Sequence, residues 1–454
     1  MAAQALAGAF LAAPDWQPAA MGRVAKRTVG DRRHWPVLVA EIVVRAYPDR
    51  PADAPRELAR FIAACDPFRR AWNDPDRPLR VRTWTTVPTT MGRRPWPVPA
   101  IDDLAELADW LGVTPAHLGW FADRRSMERS ATDPRLVHHH RQWIHKVGGG
   151  IRLLEAPKRE LKDLQRQVLH HILDRVPPHA AVHGFAPGRS ALSAAAPHVG
   201  QAVVLRFDLE SFFTSVGPGR VHGIFRTAGY PEPVAHTLAA LCTTVAPASV
   251  LRQAPRPVAG SRNDADTGAE GTGDADDPIA RRRRLLRHLA APHLAQGAPT
   301  SPALANLSAY RLDRRMAGLA SRLDATYTRY ADDLVLSGGR HLRRIDRVER
   351  IVGDIVRDEG FRLHRGKSRA TTSGQRQTVL GLVVNERPNV PRAEYDRLRA
   401  VLHDAARSGP DAANRAGHTD FRAHLQGRIS RVAETNPARA AKLDRAFAAI
   451  DWSA

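Results

Sequence analysis

The sequence predicts an α+β fold of two or three folding units, and three observations carry that expectation. Apolar, strand-like runs rich in Val, Tyr and Thr lead into carboxylates at two distant places, Val203–Asp208 and 327–337. Apolar residues elsewhere recur at helical spacing, as in Ile345, Val348, Ile351, Val352, Ile355 and Val356. At 454 residues with 43% hydrophobic content, the chain can bury a sizeable core but is long for one domain. Lys and Arg number 68 against 47 Asp and Glu, a formal net charge of +21. That balance favours a polyanionic partner and salt-sensitive binding, although a merely soluble basic protein has the same composition. Cys65 and Cys242 offer neither a disulfide framework nor a metal cluster, so a reducing cytoplasm is the simplest compartment. No run reaches the length of a membrane span, and residues 1–13 lack the positively charged leader of a signal peptide.

In chain order, residues 1–99 read as a partly disordered N-terminal extension: a loose tail to about 30, then a helical stretch (57–65) among Pro- and Arg-rich connections. Residues 100–130 form a small helical lead-in, with Asp102 capping one helix and Thr114-Pro115 opening the next. In the triplet His138-His139-His140, neighbouring side chains point in different directions, which argues against a metal site. The glycines of His145-Lys146-Val147-Gly148-Gly149-Gly150-Ile151-Arg152 suit a tight hairpin. Lys146 and Arg152 then face each other across two strands, either aimed at one anion or simply exposed. Leu161, Leu164, Val168, Ile172, Leu173 and Val176 mark a core helix ending at Pro177-Pro178. In His183-Gly184-Phe185-Ala186-Pro187-Gly188-Arg189-Ser190, Arg189 beside glycines can reach phosphate while backbone amides cradle it.

The chemistry is concentrated in two acidic stretches. Ala331-Asp332 falls where a two-residue hairpin loop belongs, which pushes Asp332 and Asp333 out of the sheet on a rigid support. Adjacent like charges need a cation to stay ionised, and oxygen-only ligands suit Mg²⁺ or Mn²⁺. With Asp208 from another strand, such a site would hold two ions and clamp an in-line phosphoryl transfer. The alternative is a polar hairpin tip. Residues 221–244 read as helical, and 260–278 as a disordered acidic loop interrupting one catalytic domain. Arg281 to Arg284 either contact phosphate or are solvated, and the solvated option is preferred. Ser301-Pro302 starts a helix, a later helix stops at Gly360, and 391–454 is basic and helical, notably over 421–434 and 438–450.

Three motifs in order carry a resemblance. Tyr330-Ala331-Asp332-Asp333 resembles the YxDD signature of reverse transcriptases, and the Asp208 stretch resembles their first carboxylate motif. Gln296-Gly297-Ala298-Pro299-Thr300-Ser301-Pro302-Ala303-Leu304-Ala305-Asn306 closely matches the QGxPTSPxLAN block of bacterial members. The lead-in and the His183 to Ser190 block are similar to those of the retron type, so the resemblance covers about residues 100 to 454. It implies a right-hand polymerase with fingers and palm over 131–390 and a helical thumb over 391–454 lying along an RNA–DNA duplex.

The resemblance also implies roles. Asp208, Asp332 and Asp333 form the two-metal set, with Asp333 ligating or supporting and Leu209 lending a backbone carbonyl. Lys146 and Arg152 hold the triphosphate of a deoxynucleotide; Arg189 and Gln296 contact nucleotide or template. Phe213 gates against a ribose 2′-hydroxyl, or is a core aromatic beside Phe212. Glu210 stays at the rim. Lys367 lies near the leaving pyrophosphate, or makes a structural salt bridge. His198, Gln377 and Asn385 belong to elements tied to the cognate RNA, where two departures occur: Ala194 replaces an Asn and Leu380 replaces a Thr. The activity implied is copying a structured non-coding RNA into DNA from an internal 2′-hydroxyl, in anti-phage defence, with any effector a separate protein. Another reverse transcriptase lineage, intron-associated or defensive, and a non-catalytic RNA-binding protein with a relict palm are the alternatives.

Overall fold

Strand β3 (Val203–Asp208) explains the architecture, because apolar residues on its two faces serve different cores. Val203, Leu205 and Phe207 enter the main core, whereas Val204, pointing the other way, joins a second core built with the C-terminal helices. The computed structural model describes residues 1–51, 55–85, 89–131, 133–145, 150–256 and 278–452.

Ahead of the sheet, five helices form a unit with its own core: α1 (Ala2–Leu11), α2 (Pro18–Val29), α3 (Trp35–Ala46), α4 (Pro55–Ala64) and α5 (Asp66–Trp72). The loose tail expected over 1–30 is therefore corrected. Helix α1 is built from Ala, Gly and Leu with almost every residue buried, so it has no polar face to reveal its period in the sequence. Gly8 lies against the Thr85 carbonyl, and α2 stops at Gly30 in the left-handed conformation, φ 63°. Then follow α6 (Leu104–Leu111) and α7 (Pro115–Ala122). The cap of α6 is Asp103, not Asp102, whose carboxylate instead accepts from the Met91 amide at 2.6 Å. Thr114 caps α7 as expected.

Strands β1 (His139–His145) and β2 (Ile151–Pro157) make an antiparallel hairpin, followed by α8 (Arg159–His171) and the short α9 (Ala191–Ala195). After β3 come α10 (Pro218–Thr227) and α11 (Glu232–Leu241), two helices within the stretch read as helical. The break is Gly229, at φ 101°, whose missing Cβ lets the Arg93 carbonyl approach. Next are α12 (Ala248–Arg252), α13 (Pro278–Leu289), α14 (Ser301–Ser308) and α15 (Tyr310–Arg322). Strands β4 (Ala325–Tyr330) and β5 (Asp333–Gly338) precede α16 (Ile345–Asp358), β6 (Arg369–Thr372), β7 (Thr378–Val379) and β8 (Leu382–Val383). Four helices close the chain: α17 (Arg392–Ser408), α18 (Pro410–Ala413), α19 (Phe421–Thr435) and α20 (Pro437–Ala448).

The central sheet has the order β4-β5-β3-β6 with every pair antiparallel. Helices α10, α11, α14, α15 and α16 cover one face together with α6 and α7; the other face meets residues 379–390 and α17 to α20. This is the right-hand polymerase arrangement, a palm sheet between a β1–β2 hairpin and a C-terminal helical lobe. The acidic-loop expectation over 260–278 lies almost entirely outside the described residues. Among those described, no helix is long and apolar enough to cross a membrane.

Candidate active site

The sheet register places the carboxylates. Asp208 stands directly opposite Asp333 in the β3–β5 pairing, and β4 and β5 are joined by the two-residue turn Ala331-Asp332. The Leu209 amide donates to the Asp332 carbonyl at 2.9 Å, tying the end of β3 to that turn. On the far side, the His364 amide donates to the Asp208 carbonyl at 2.8 Å. The backbone around both carboxylates is thus held from two directions.

Beneath the turn lies a buried polar clamp that the sequence gives little sign of. Arg329, fully buried on β4, donates Nε to Asp313 Oδ1 and Nη2 to Asp313 Oδ2, both at 2.7 Å. Its Nη1 reaches Asn306 Oδ1 and the Ala331 carbonyl, each at 3.0 Å. The Tyr327 hydroxyl also donates to Asp313, at 2.9 Å, and burial beside that carboxylate raises its pKa well above the usual phenol value. Asn306 Nδ2 in turn donates to the Gly184 carbonyl at 2.9 Å. A Cβ on Gly184 would sit 2.6 Å from the Ala331 nitrogen, so this loop can approach the turn only as glycine. A buried ion pair is tolerated where further hydrogen bonds satisfy it, as here.

The turn opens onto a cavity of about 1250 Å³. Asp208 and Asp332 line it, as do Arg152, Phe213, Gln296 and Lys367. These six predicted residues, from five separate stretches of chain, meet at one place. Leu209 also lines it. Lys367 Nζ is 2.8 Å from Asp208 Oδ2, an ammonium supplying the positive charge that this carboxylate calls for. Asp333 is half-buried outside the lining, with Arg206 Nη2 at 3.9 Å. Burial and the neighbouring Asp332 carboxylate push its pKa up to about 6, against the pull of Arg206. Phe212 is buried and Phe213 only partly so, and both line the cavity.

The residues fit a hard divalent cation. The donor set is carboxylate oxygen; among the described residues no group of three or more His, Cys, Asp or Glu is arranged to hold a metal ion, so Asp208, Asp332 and Asp333 do not form a ready-made three-carboxylate site. Mg²⁺ is commonly held by one or two carboxylates completed by water and substrate phosphates, which matches an open pair such as Asp208 and Asp332.

A family model described as Reverse transcriptase (RNA-dependent DNA polymerase) matches residues 281–384. The retron Mx65 reverse transcriptase of Myxococcus xanthus is 40% identical over 342 residues, covering 75% of this chain and 70% of that protein. The chain belongs to the retron reverse transcriptases. The retron Mx162 enzyme of the same organism is 36% identical over 356 residues (75% of this chain, 65% of that one). The retron Ec86 enzyme of Escherichia coli is 30% identical over 254 residues (56% and 65%). As a retron reverse transcriptase the protein is an RNA-directed DNA polymerase, of a class that works with divalent metal ions.

Other expectations for this retron reverse transcriptase need correction. His198 is wholly buried, with Nδ1 2.6 Å from Ser337 Oγ and Nε2 2.7 Å from Thr328 Oγ1. It joins α9's end to two sheet strands and presents nothing to RNA. Gln377 is equally buried, its Nε2 donating to the Gln201 carbonyl at 3.0 Å. Asn385 accepts from the Gln377 amide at 2.9 Å and donates to the Gln375 carbonyl at 2.8 Å, fastening a turn beside β8. All three were singled out by resemblance alone, which cannot separate a residue that touches a ligand from one that shapes its surroundings. Arg189 is exposed and does not line the cavity, with Nη1 donating to the Ala180 carbonyl at 2.7 Å, a placement that leaves its expected template contact uncontradicted. Conversely, Arg281 and Arg282 line the cavity instead of facing bulk solvent, and Arg284 Nε donates to Glu210 Oε1 at 3.0 Å. Glu210 is thus an anchor for α13. Lys146 lies outside the described residues.

Proposed function

We propose that Asp208 and Asp332 hold a pair of Mg²⁺ ions for nucleotidyl transfer, with Asp333 supporting them, and that the template is a structured non-coding RNA. The observation that carries this is the arrival of both carboxylates, from adjoining strand ends, at one cavity wide enough for a nucleotide and flanked by basic side chains. When bound, the ions would supply charge neutralisation at the attacking hydroxyl and at the departing pyrophosphate. The chain's own side chains do the rest. Arg152 faces the cavity from the β1–β2 hairpin and, with Lys146, would grip the triphosphate. Lys367 would leave Asp208 for the leaving phosphates once a cation takes its place. Gln296 contacts the nucleotide, and Phe213 excludes a ribose 2′-hydroxyl.

The RNA partner, the RNA–DNA hybrid and deoxynucleotides follow from this reading, as does priming from an internal 2′-hydroxyl. A role in phage defence in the cytoplasm, with a separate effector protein, is proposed on the likeness to retron enzymes. The test is Asp332→Asn on a primed RNA template with Mg²⁺. DNA synthesis should be lost while RNA affinity stays near that of the parent protein. Synthesis that survives the substitution overturns the assignment.

A further inference from the structure

Phe185 is unlike any other aromatic in the molecule. It is 50% exposed, yet it lines the cavity that holds Asp208 and Asp332. Its backbone is left-handed, φ 56°, a conformation that a bulky side chain adopts only when its surroundings impose it. The surroundings do so here. The residues just before it are locked to the catalytic hairpin: Val182 forms a bridge with Arg329, and the His183 amide donates to the Arg329 carbonyl at 2.8 Å. Gly184 is pressed on Ala331 and held by Asn306. The strain therefore serves to project one ring into solvent-filled space, where burial gives nothing back.

That ring has two aromatic neighbours. Its centroid is 6.1 Å from Phe213, edge to face, and 6.3 Å from Tyr330, the residue just before the turn. Phe185 thus stands beside Phe213, the residue proposed above to meet the sugar, and its nearest rings are aromatic. Exposed aromatic faces in nucleic-acid enzymes are worth most when a base or base pair covers them.

We propose that Phe185 is a nucleobase contact, the apolar surface on which the base pair at the primer end rests while the catalytic hairpin acts on it. This rests on the reading of Asp208 and Asp332 as the polymerisation site. It adds a residue, and a ligand class, to that site: a paired base, recognised by shape and not by sequence. Because the ring is fixed to the hairpin through Gly184 and Arg329, its position relative to Asp332 is preset.

The experiment compares the full chain with Phe185→Ala, Phe185→Leu and Phe185→Trp on a short primer annealed to an RNA oligonucleotide. Binding is read by fluorescence anisotropy, and single-nucleotide addition is split into KM and kcat. Phe185→Ala should bind the primed template about tenfold more weakly. Phe185→Trp should restore most of that loss, and Phe185→Leu should not. Melting temperatures, expected to stay within a few degrees of the parent, separate this from misfolding. Removing the template base at the primer end, or in a second arm the primer base, identifies which one the ring touches: the parent and Phe185→Ala then bind alike. Equal affinity of the parent and Phe185→Ala for the intact duplex overturns the proposal, as does full rescue by Leu. Anisotropy without metal keeps this independent of chemistry, so a chain that binds through Phe185 but makes no DNA overturns the polymerisation reading alone.

Discussion

Asp208 and Asp332 are recognisable in the sequence because each sits at the end of a strand-forming run, and because nothing else there explains adjacent acids. Phe213 is recognisable only as one of a pair. Which of two neighbouring phenylalanines is buried and which partly exposed depends on the pairing of β3 with β5, a contact across more than a hundred residues. Replacing Phe213 with Val should lower discrimination between deoxy- and ribonucleotides by about tenfold to a hundredfold, measured as the ratio of kcat/KM values. His198 shows where resemblance misleads. Burial, and secondarily the charge of His183, lower its pKa to about 4, so the folded chain holds it neutral. An unfolded chain takes up that proton first, near pH 6.5. The stability His198 confers is therefore complete above pH 6.5 and is lost as pH falls towards about 4. The melting temperature of His198→Gln should vary less steeply than the parent's across that window.

The hairpin β4–β5 is legible as an element, down to its two-residue turn, since alternation and turn chemistry are both local. Its support is not. Arg329 reads as an ordinary strand residue, and only the fold shows that Asp313, on α15, must sit beneath it. Removing one partner of a buried ion pair leaves the other charge uncompensated. Asp313→Ala should therefore cost about 3–5 kcal/mol in a urea titration, and it should loosen the turn that carries Asp332. Helix α13 is the opposite case: four consecutive arginines look like a solvated run, but Leu289 and Leu285 pack with Trp143 and Leu153 of the β1–β2 hairpin. Two of its cations consequently line the cavity and a third reaches Glu210. Composition cannot distinguish a charged face that looks outward from one that looks into a site.

Across the whole chain, the formal charge of +21 has a direct consequence for binding. Each neutralised phosphate contributes about 0.7 to 0.9 to the slope of log affinity against log salt. If six or more are engaged, RNA affinity should fall about a thousandfold or more between about 50 and 200 mM salt, as read by filter binding. In the N-terminal five-helix unit α4 is legible as the helical stretch 57–65, whereas α1 is not, because its small apolar residues pack all round and leave no stripe.

The two-sided strand β3 limits how this polymerase can be dissected. Val204 and Val335 have their packing partners beyond residue 378, in the lobe formed by the last four helices. A truncation at 390 would not release a minimal enzyme. It would uncover a greasy seam on the very face of the sheet whose edge carries Asp208 and Asp333, and such a fragment should be recovered from inclusion bodies, soluble again only when the missing piece is supplied in trans.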